Sequence, residues 1–413
     1  MLRPKQQGRM LLKKPSPFFS YLLTRSFFTL AIHMQATLLA WFVYQISHDP
    51  FDLGLTGLAE IIPFVAMLLL GGALADRFRR KKLMAWSLFG YLMIGLGLWF
   101  LAWKKEQGNE VSLMLVYFLI FLTGLSRAIL SPAQNALLGQ LVPREELTRA
   151  SVWSSAIYHI GAVGGPAIGG IAYAYAGPTW AFGGVAVLFG LAWASVLKIP
   201  DPGKPEITSS DHDPLWKRMK AGLVFVYRHQ LLFPGMMMDM VAVLFGGAVA
   251  VLPLFADQIL HTGAEGLGWL RAAPALGSLC TALFLLRHPP GKGAGKWLLA
   301  CVFGFGITNL GFALSTSFWI SFSFLFIGGL LDNVSAIIRM SLVQLYTPDA
   351  MKGRVSAVNS IFIGSSNELG AFESGLAAKV FGLVPSVIYG SWITFATVGI
   401  TTWKARALRN LNF

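Results

Sequence analysis

The chain has 413 residues, 55% hydrophobic and 13% charged, with a formal net charge of +14 and a mean hydropathy of +0.61. Soluble domains carry about 25% charged residues, so this composition excludes a water-soluble enzyme. It also excludes a nucleic-acid module, whose cations would gather on one face of a soluble domain.

Runs of roughly 17 to 25 mostly apolar residues mark membrane-crossing helices. In chain order they fall at 20–46, 53–75, 83–103, 111–140, 148–175, 179–198, 230–259, 264–286, 296–314, 317–346, 355–381 and 384–403. A basic tail and Phe18 to Leu23 open the first run like a secretory signal. Arg25 interrupts it, no small-residue cleavage site closes it, and the run continues to Ile46, too long for a signal core. The second and third runs are joined by GGALADRFRRKK at 71–82, and Arg144 and Arg149 follow the fourth. Ile199 opens the only long polar, proline-rich stretch, a linker over 199–229. Its end, PLWKRMKAGLVFVYR at 214–228, alternates cations with apolar residues, as a helix lying along a membrane surface does. Later cations are Arg287, Lys292, Lys296, Lys352, Arg354, Lys404, Arg406 and Arg409.

All of these cations lie on one side of an alternating path, whereas the opposite loops hold only Lys104, Lys105 and Lys379. Lys and Arg favour the cytoplasmic side, so both termini are expected there, with the net charge acting as an orientation signal against anionic lipid headgroups. The expected fold is an all-α membrane protein of twelve transmembrane helices in two pseudo-symmetric six-helix bundles, 1–198 and 230–413. The halves repeat: GQLVPREELTRASVWSS from Gly139 aligns with VQLYTPDAMKGRVSAVNS from Val343 when one residue is inserted. Cys280 and Cys301 fall within apolar runs, leaving no disulfide framework and no metal cluster to expect.

The pattern Gly72, Asp76, Arg77, Arg80 and Lys81 between the second and third runs, and GAVGGPAIGG with Gly161, Gly165, Pro166, Gly169 and Gly170 in the fifth, carry a resemblance. So do MQATLLAWFVYQIS in the first run and PDAMKGRVSAVNSIFIGSSNELGAFESG in the eleventh. Over its whole length the chain resembles the major facilitator superfamily, in the style of bacterial siderophore exporters and macrolide or multidrug efflux pumps. Parallel repeats about a membrane-normal axis, with a substrate site near midplane, are that architecture. The resemblance implies outward transport by proton antiport, and the glycine motifs are the implied gating elements. There are departures. Arg79 stands where the loop motif usually has Gly, Arg127 lacks the Gly-rich tail that commonly follows it, and RHPPGKGAGK, the counterpart loop, has lost its acid. Asp76 and Arg80 are expected to latch the cytoplasmic side shut.

A charge near the bilayer centre costs at least ~2.5 to 3.5 kcal/mol, so intramembrane charges are functional candidates. They are Arg25, His33, Glu60, Arg127, His159, Asp239, Arg271, Asp332, Arg339, Glu368 and Glu373. Proton coupling needs an acid that alternates between dry and wet surroundings. The order of preference is Glu368, Asp332, Asp239, Glu373 and Glu60, with Arg127 and Arg339 placed to modulate these acids or hold an anionic substrate group. Glu368 and Glu373, five apart, point roughly 140° apart on a helix and are not expected to pair. Asp239 and Glu60 lie nearer the ends of their runs, where water solvates a charge. Gln35, Trp41, Tyr44, Asn333, Asn359 and Asn367 are the polar or aromatic groups expected to line an otherwise apolar ligand cavity, with Arg339 among them.

Enzyme signals are absent. In PPGKGAGKW, Pro290 occupies the first glycine position of a phosphate loop and Trp297 that of its Ser or Thr. The expected function is export of a small amphipathic molecule, a siderophore or drug, by proton antiport with alternating access across a bacterial inner membrane. The expected partners are substrate, protons and membrane lipids, with no cofactor, no nucleic acid and a monomeric state. The alternatives are an uptake symporter or facilitator on the same scaffold, or a lipid flippase.

Overall fold

The computed structural model describes residues 16–203, 215–287, 293–348 and 351–411, with the side chains of 68–77, 144 and 215–218 outside the described set. Every regular element among the described residues is helical. Among the described residues, ten helices are long and apolar enough to cross a membrane. One of the ten bends back into two crossings, and a further long helix, 352–381, is more polar; together they account for the twelve expected runs.

The N-terminal elements begin where local chemistry starts helices. α1 (Pro17–Ser47) opens on a proline, whose missing N–H costs nothing at a first helical position, while Ser16 Oγ accepts the Phe19 N–H at 3.1 Å. α2 (Pro50–Arg77) repeats the arrangement, with Asp49 Oδ1 accepting the Phe51 N–H at 2.9 Å. α3 (Arg80–Glu106) and α4 (Leu113–Leu141) follow. The run Leu147–Leu197 is 51 residues long and breaks at Gly177, φ 84° and ψ 168°, a conformation that only glycine adopts readily. The break yields α5 (147–176) and α6 (178–197). Glu106 Oε1 accepts the Thr179 N–H at 3.2 Å, placing an acid at the positive end of the α6 dipole.

α7 (Leu215–Arg228) is the amphipathic helix expected from the linker. α8 (Leu232–Gly246) is preceded by His229, whose Nδ1 accepts the Leu231 and Leu232 N–H groups at 3.3 and 3.4 Å. The seventh run, read from sequence as continuous, departs from helix after Gly246. Gly247 turns to φ −80°, ψ 92°, and is followed by a 3-10 turn, Ala248–Val251, one α turn, Leu252–Leu254, and a π turn, Phe255–Ile259. Then come α9 (Gly263–Leu285), α10 (Ala294–Leu314), α11 (Phe318–Tyr346), α12 (Lys352–Phe381), α13 (Leu383–Lys404) and the short α14 (Arg406–Arg409).

Two compact units result. The first takes the chain up to Phe42 with Ile62–Ser210; the second takes Val43–Ile61 with Asp211–Phe413. The connected ends of α1 and α2 therefore pack with the second unit. Within the first unit α3 lies along α4 and the α5–α6 run; within the second, α11 packs on α9 and α10, and α8 packs on α12 and α13. Large apolar side chains such as Trp86, Met114 and Trp403 are exposed, as a lipid-facing surface requires.

Candidate functional site: charged groups among the membrane-spanning helices

In the second unit, Arg339 of α11 donates from Nη1 to Asp239 Oδ2 of α8 and from Nε to Ser335 Oγ at 3.3 Å. Asp332 Oδ1 lies 4.0 Å from Arg339 Nη2, and the seven-residue spacing puts both on one face of α11. Met236, Met238 and Ala242, flanking Asp239 on α8, and Ile338 and Leu342, flanking Arg339 on α11, belong to one buried apolar cluster. Asp239, read from sequence as near water, is 7% exposed; its solvation is supplied by a guanidinium instead. One cation thus stands between two acids of unequal hold, an arrangement that a single proton can redistribute.

A second group surrounds the break after α8. Arg271 of α9 donates from Nη2 to the Val249 carbonyl at 3.5 Å and lies in the field of Glu368. The Glu368 backbone carries α2: a side chain at Gly57 would collide with the Glu368 carbonyl oxygen, and one at Gly375 would meet the Pro50 carbonyl at 2.6 Å. Glu373, half-buried, faces a separate cleft with residues 245–248. Glu368 is not among the residues lining that cleft.

The connected ends of α1 and α2 add three ties inside the second unit. Tyr44 Oη donates to Asp257 Oδ2 at 2.6 Å, Lys379 Nζ meets Asp49 Oδ2 at 2.6 Å, and Phe51 packs edge-on against Phe372. The Lys379 ammonium, with help from the Phe51 N–H, holds the Asp49 carboxyl below its ordinary range. Asp257 and Asp49 were not singled out from sequence. Only Asp49 carried a local signal, an acid immediately before Pro50.

Of the remaining ligand candidates, Asn333 Nδ2 donates to the Ser278 carbonyl at 2.7 Å, fastening α11 to α9. Asn359 is buried beside Met340 Sδ at 3.7 Å, and Asn367 is exposed. Trp41 is core, and Gln35 is 1% exposed with its Oε1 unpartnered among the described residues. Glu60 is half-buried on α2, and the Arg127 guanidinium sits 4.9 Å over the Phe64 ring.

The fifth-run glycine motif packs α5 on α1. Added Cβ atoms would stand 2.7 Å from Thr29 Cγ2 at Gly161, 2.8 Å from His33 Cβ at Gly165 and 3.0 Å from Met34 Cγ at Gly169; Pro166 and Gly170 are also buried. In the basic loop, Arg80 Nη1 donates to the Ala136 carbonyl at 3.1 Å and Lys81 Nζ to the Leu197 carbonyl at 3.0 Å. Arg79, the residue that departs from the expected glycine, pairs with Asp201 at 2.7 Å and holds that carboxyl below its ordinary range. The Gly72, Asp76 and Arg77 positions of the expected latch lie outside the described side chains.

A wholly helical fold among the described residues, with charges buried between membrane-length helices, defines a polytopic membrane protein. The sequence profile of the Major Facilitator Superfamily matches residues 19–371, and the chain belongs to that family. It is 27% identical over 389 residues to the Enterobactin exporter EntS of Shigella flexneri, covering 91% of this chain and 90% of that one. It is 26% identical over 390 residues to the Enterobactin exporter EntS of Escherichia coli O1:K1 / APEC, covering 91% of each. Among solved structures it is similar to a POT family transporter in complex with 5-aminolevulinic acid, TM-score 0.76 at 10% identity over 95% of this chain and 96% of that one. A bacterial homologue of the iron transporter ferroportin in the inward-facing state gives TM-score 0.68 at 17% identity over 95% and 98%. These structural likenesses speak for the fold.

Proposed function

We propose that the protein exports a small amphipathic molecule of siderophore or drug type across a bacterial inner membrane, in exchange for protons and by alternating access, with both termini in the cytoplasm. The substrate class is supported by similarity to enterobactin exporters along nine-tenths of the chain. The observation that carries the coupling is the buried Asp239–Arg339 ion pair with the half-exposed Asp332 4.0 Å from the same guanidinium. Protonation of Asp239 removes its claim on Arg339 and leaves the guanidinium to Asp332. That exchange links proton uptake to the seating of α8 against α11, and Glu368 with Arg271 offers a second such exchange. Arg339 released in this way presents a cation to an acidic group of the substrate. Asp76 and Arg80 form the cytoplasmic latch, and the superfamily's transport chemistry calls for no cofactor.

The test uses proteoliposomes with an imposed pH gradient and enterobactin as the probe. Substrate movement opposite to the proton gradient, lost in Asp239→Asn, is expected. Gradient-independent equilibration of the probe would overturn antiport and leave a facilitator.

A further inference from the structure

The break after α8 puts irregular backbone in the middle of a 28-residue span, Leu232–Ile259. Non-helical backbone at membrane depth persists only where protein or a polar cavity satisfies it. Part of that demand is met from the sides: Ser374 Oγ donates to the Gly247 carbonyl at 3.0 Å, and Arg271 donates to the Val249 carbonyl. Beside the first of these supports is a small cleft lined by residues 245–248, Glu373 and Ser374 of α12, and Ser386 with Val387 of α13.

Glu373 is the one titratable side chain lining this cleft. It makes no hydrogen bond or ion pair among the described residues. Three cations of the same unit are committed elsewhere: Arg339 to Asp239, Lys379 to Asp49, and Arg271 to Val249 and the field of Glu368. A carboxylate held among membrane-spanning helices needs its charge balanced. The two hydroxyls beside it do not balance it, because Ser374 spends its hydrogen on Gly247 and Ser386 spends its own on the Leu383 carbonyl at 2.7 Å. What the serines retain toward the cleft is acceptor capacity.

The site therefore offers one carboxylate, two hydroxyl oxygens and the carbonyls of an interrupted helix. Oxygen donors suit hard cations, whereas softer transition metals favour imidazole and thiolate, and neither lines the cleft. A single carboxylate balances one positive charge, and interrupted helices present carbonyls to sodium ions in membrane transporters. We infer that the Glu373 cleft binds a sodium ion. The inference rests on the geometry of the second unit, not on the direction of transport or on the proton exchange at Asp239.

The experiment is thermal unfolding of the purified full chain in detergent, in sodium, potassium or choline chloride at equal ionic strength. The pH is held at about 8, where an ordinary carboxylate is ionised. A saturable rise in melting temperature with sodium is expected, absent with choline, lost in Glu373→Gln, reduced in Ser374→Ala and retained in Asp49→Asn. Equal shifts in all three salts, or a sodium shift retained in Glu373→Gln, would overturn the site. So would stabilisation by acid alone with no response to sodium, which would assign the balancing charge to a proton. Should Glu373→Gln fail to fold, radioactive sodium binding to the wild-type chain decides: saturation near one ion per chain, weakened in Ser386→Ala, supports the site, and no saturable binding ends it. Antiport at Asp239 is read separately by substrate flux, so either result stands without the other.

Discussion

Arg339 and Asp239, one hundred residues apart, meet as a hydrogen-bonded ion pair in which both side chains are about nine-tenths buried. Removing one partner of such a pair strands the other charge and costs about 3–5 kcal/mol, whereas replacing both with apolar groups of similar volume is often neutral. Asp239→Asn and Arg339→Gln are each expected to lower the melting temperature sharply. The double variant Asp239→Leu/Arg339→Met is expected to recover stability while losing gradient-driven transport. A double variant that recovered transport as well would make the pair a packing element only.

Gly165 tests the seam between α5 and α1. Its missing side chain leaves the Leu30 carbonyl and the Met34 N–H each 2.9 Å from where a Cβ would stand, whereas at Gly164 the nearest atom is 3.6 Å away. Overpacking of this kind costs about 1–3 kcal/mol. Gly165→Val should therefore lower the unfolding temperature in detergent well beyond Gly164→Val, and equal effects would show that the seam yields without cost.

The crossings were legible because apolar runs of bilayer length are a local signal, and the Gly177–Pro178 break fell between two such runs. The partners of the charges were not legible. Nothing near Asp239 announces Arg339, so its position toward the end of an apolar run suggested water. Asn333 has the chemistry of a ligand group, but its amide is used on the Ser278 carbonyl, and residue type does not reveal which face a helix turns to its neighbour. The interruption at Gly246 and Gly247 was hidden because glycines in apolar text read as continuous hydrophobicity. What makes the break tenable is tertiary, including the Ser374 hydroxyl and the close approach of Gly390 to the Phe245 carbonyl.

The ties of residues 43–61 to their own unit differ in strength. Asp49 and Lys379 are 31% and 49% exposed, a setting where an ion pair contributes about 0.2–1 kcal/mol and weakens with salt. Tyr44 is buried and donates to a carboxylate, and hydrogen bonds to charged groups contribute about 1.5–3 kcal/mol. Tyr44→Phe should therefore destabilise more than Asp49→Asn. The Asp49 carboxyl is held below its ordinary range. Its contribution is fully present above the unfolded-chain pKa and is lost only as pH falls through the depressed folded value. Between about pH 6 and pH 8 the stability difference between wild type and Asp49→Asn should stay flat; a difference that disappears on approaching neutrality from above would contradict the assignment.

The proposed orientation rests on where the cations collect. The α2–α3 junction holds Arg79, Arg80, Lys81 and Lys82, whereas the α1–α2 junction holds His48 and Asp49, and cytoplasmic loops carry the excess of Lys and Arg. Cys280 is exposed and Cys301 buried, so labelling requires Cys280→Ser and Cys301→Ala as background. In intact cells an impermeant maleimide should modify His48→Cys and leave Lys82→Cys untouched until the membrane is opened from the inside. Both positions are exposed to begin with, so failure to react reports the membrane and not burial. The reverse pattern would place the basic junction outside and overturn the proposed cytoplasmic termini and the proposed Asp76–Arg80 latch.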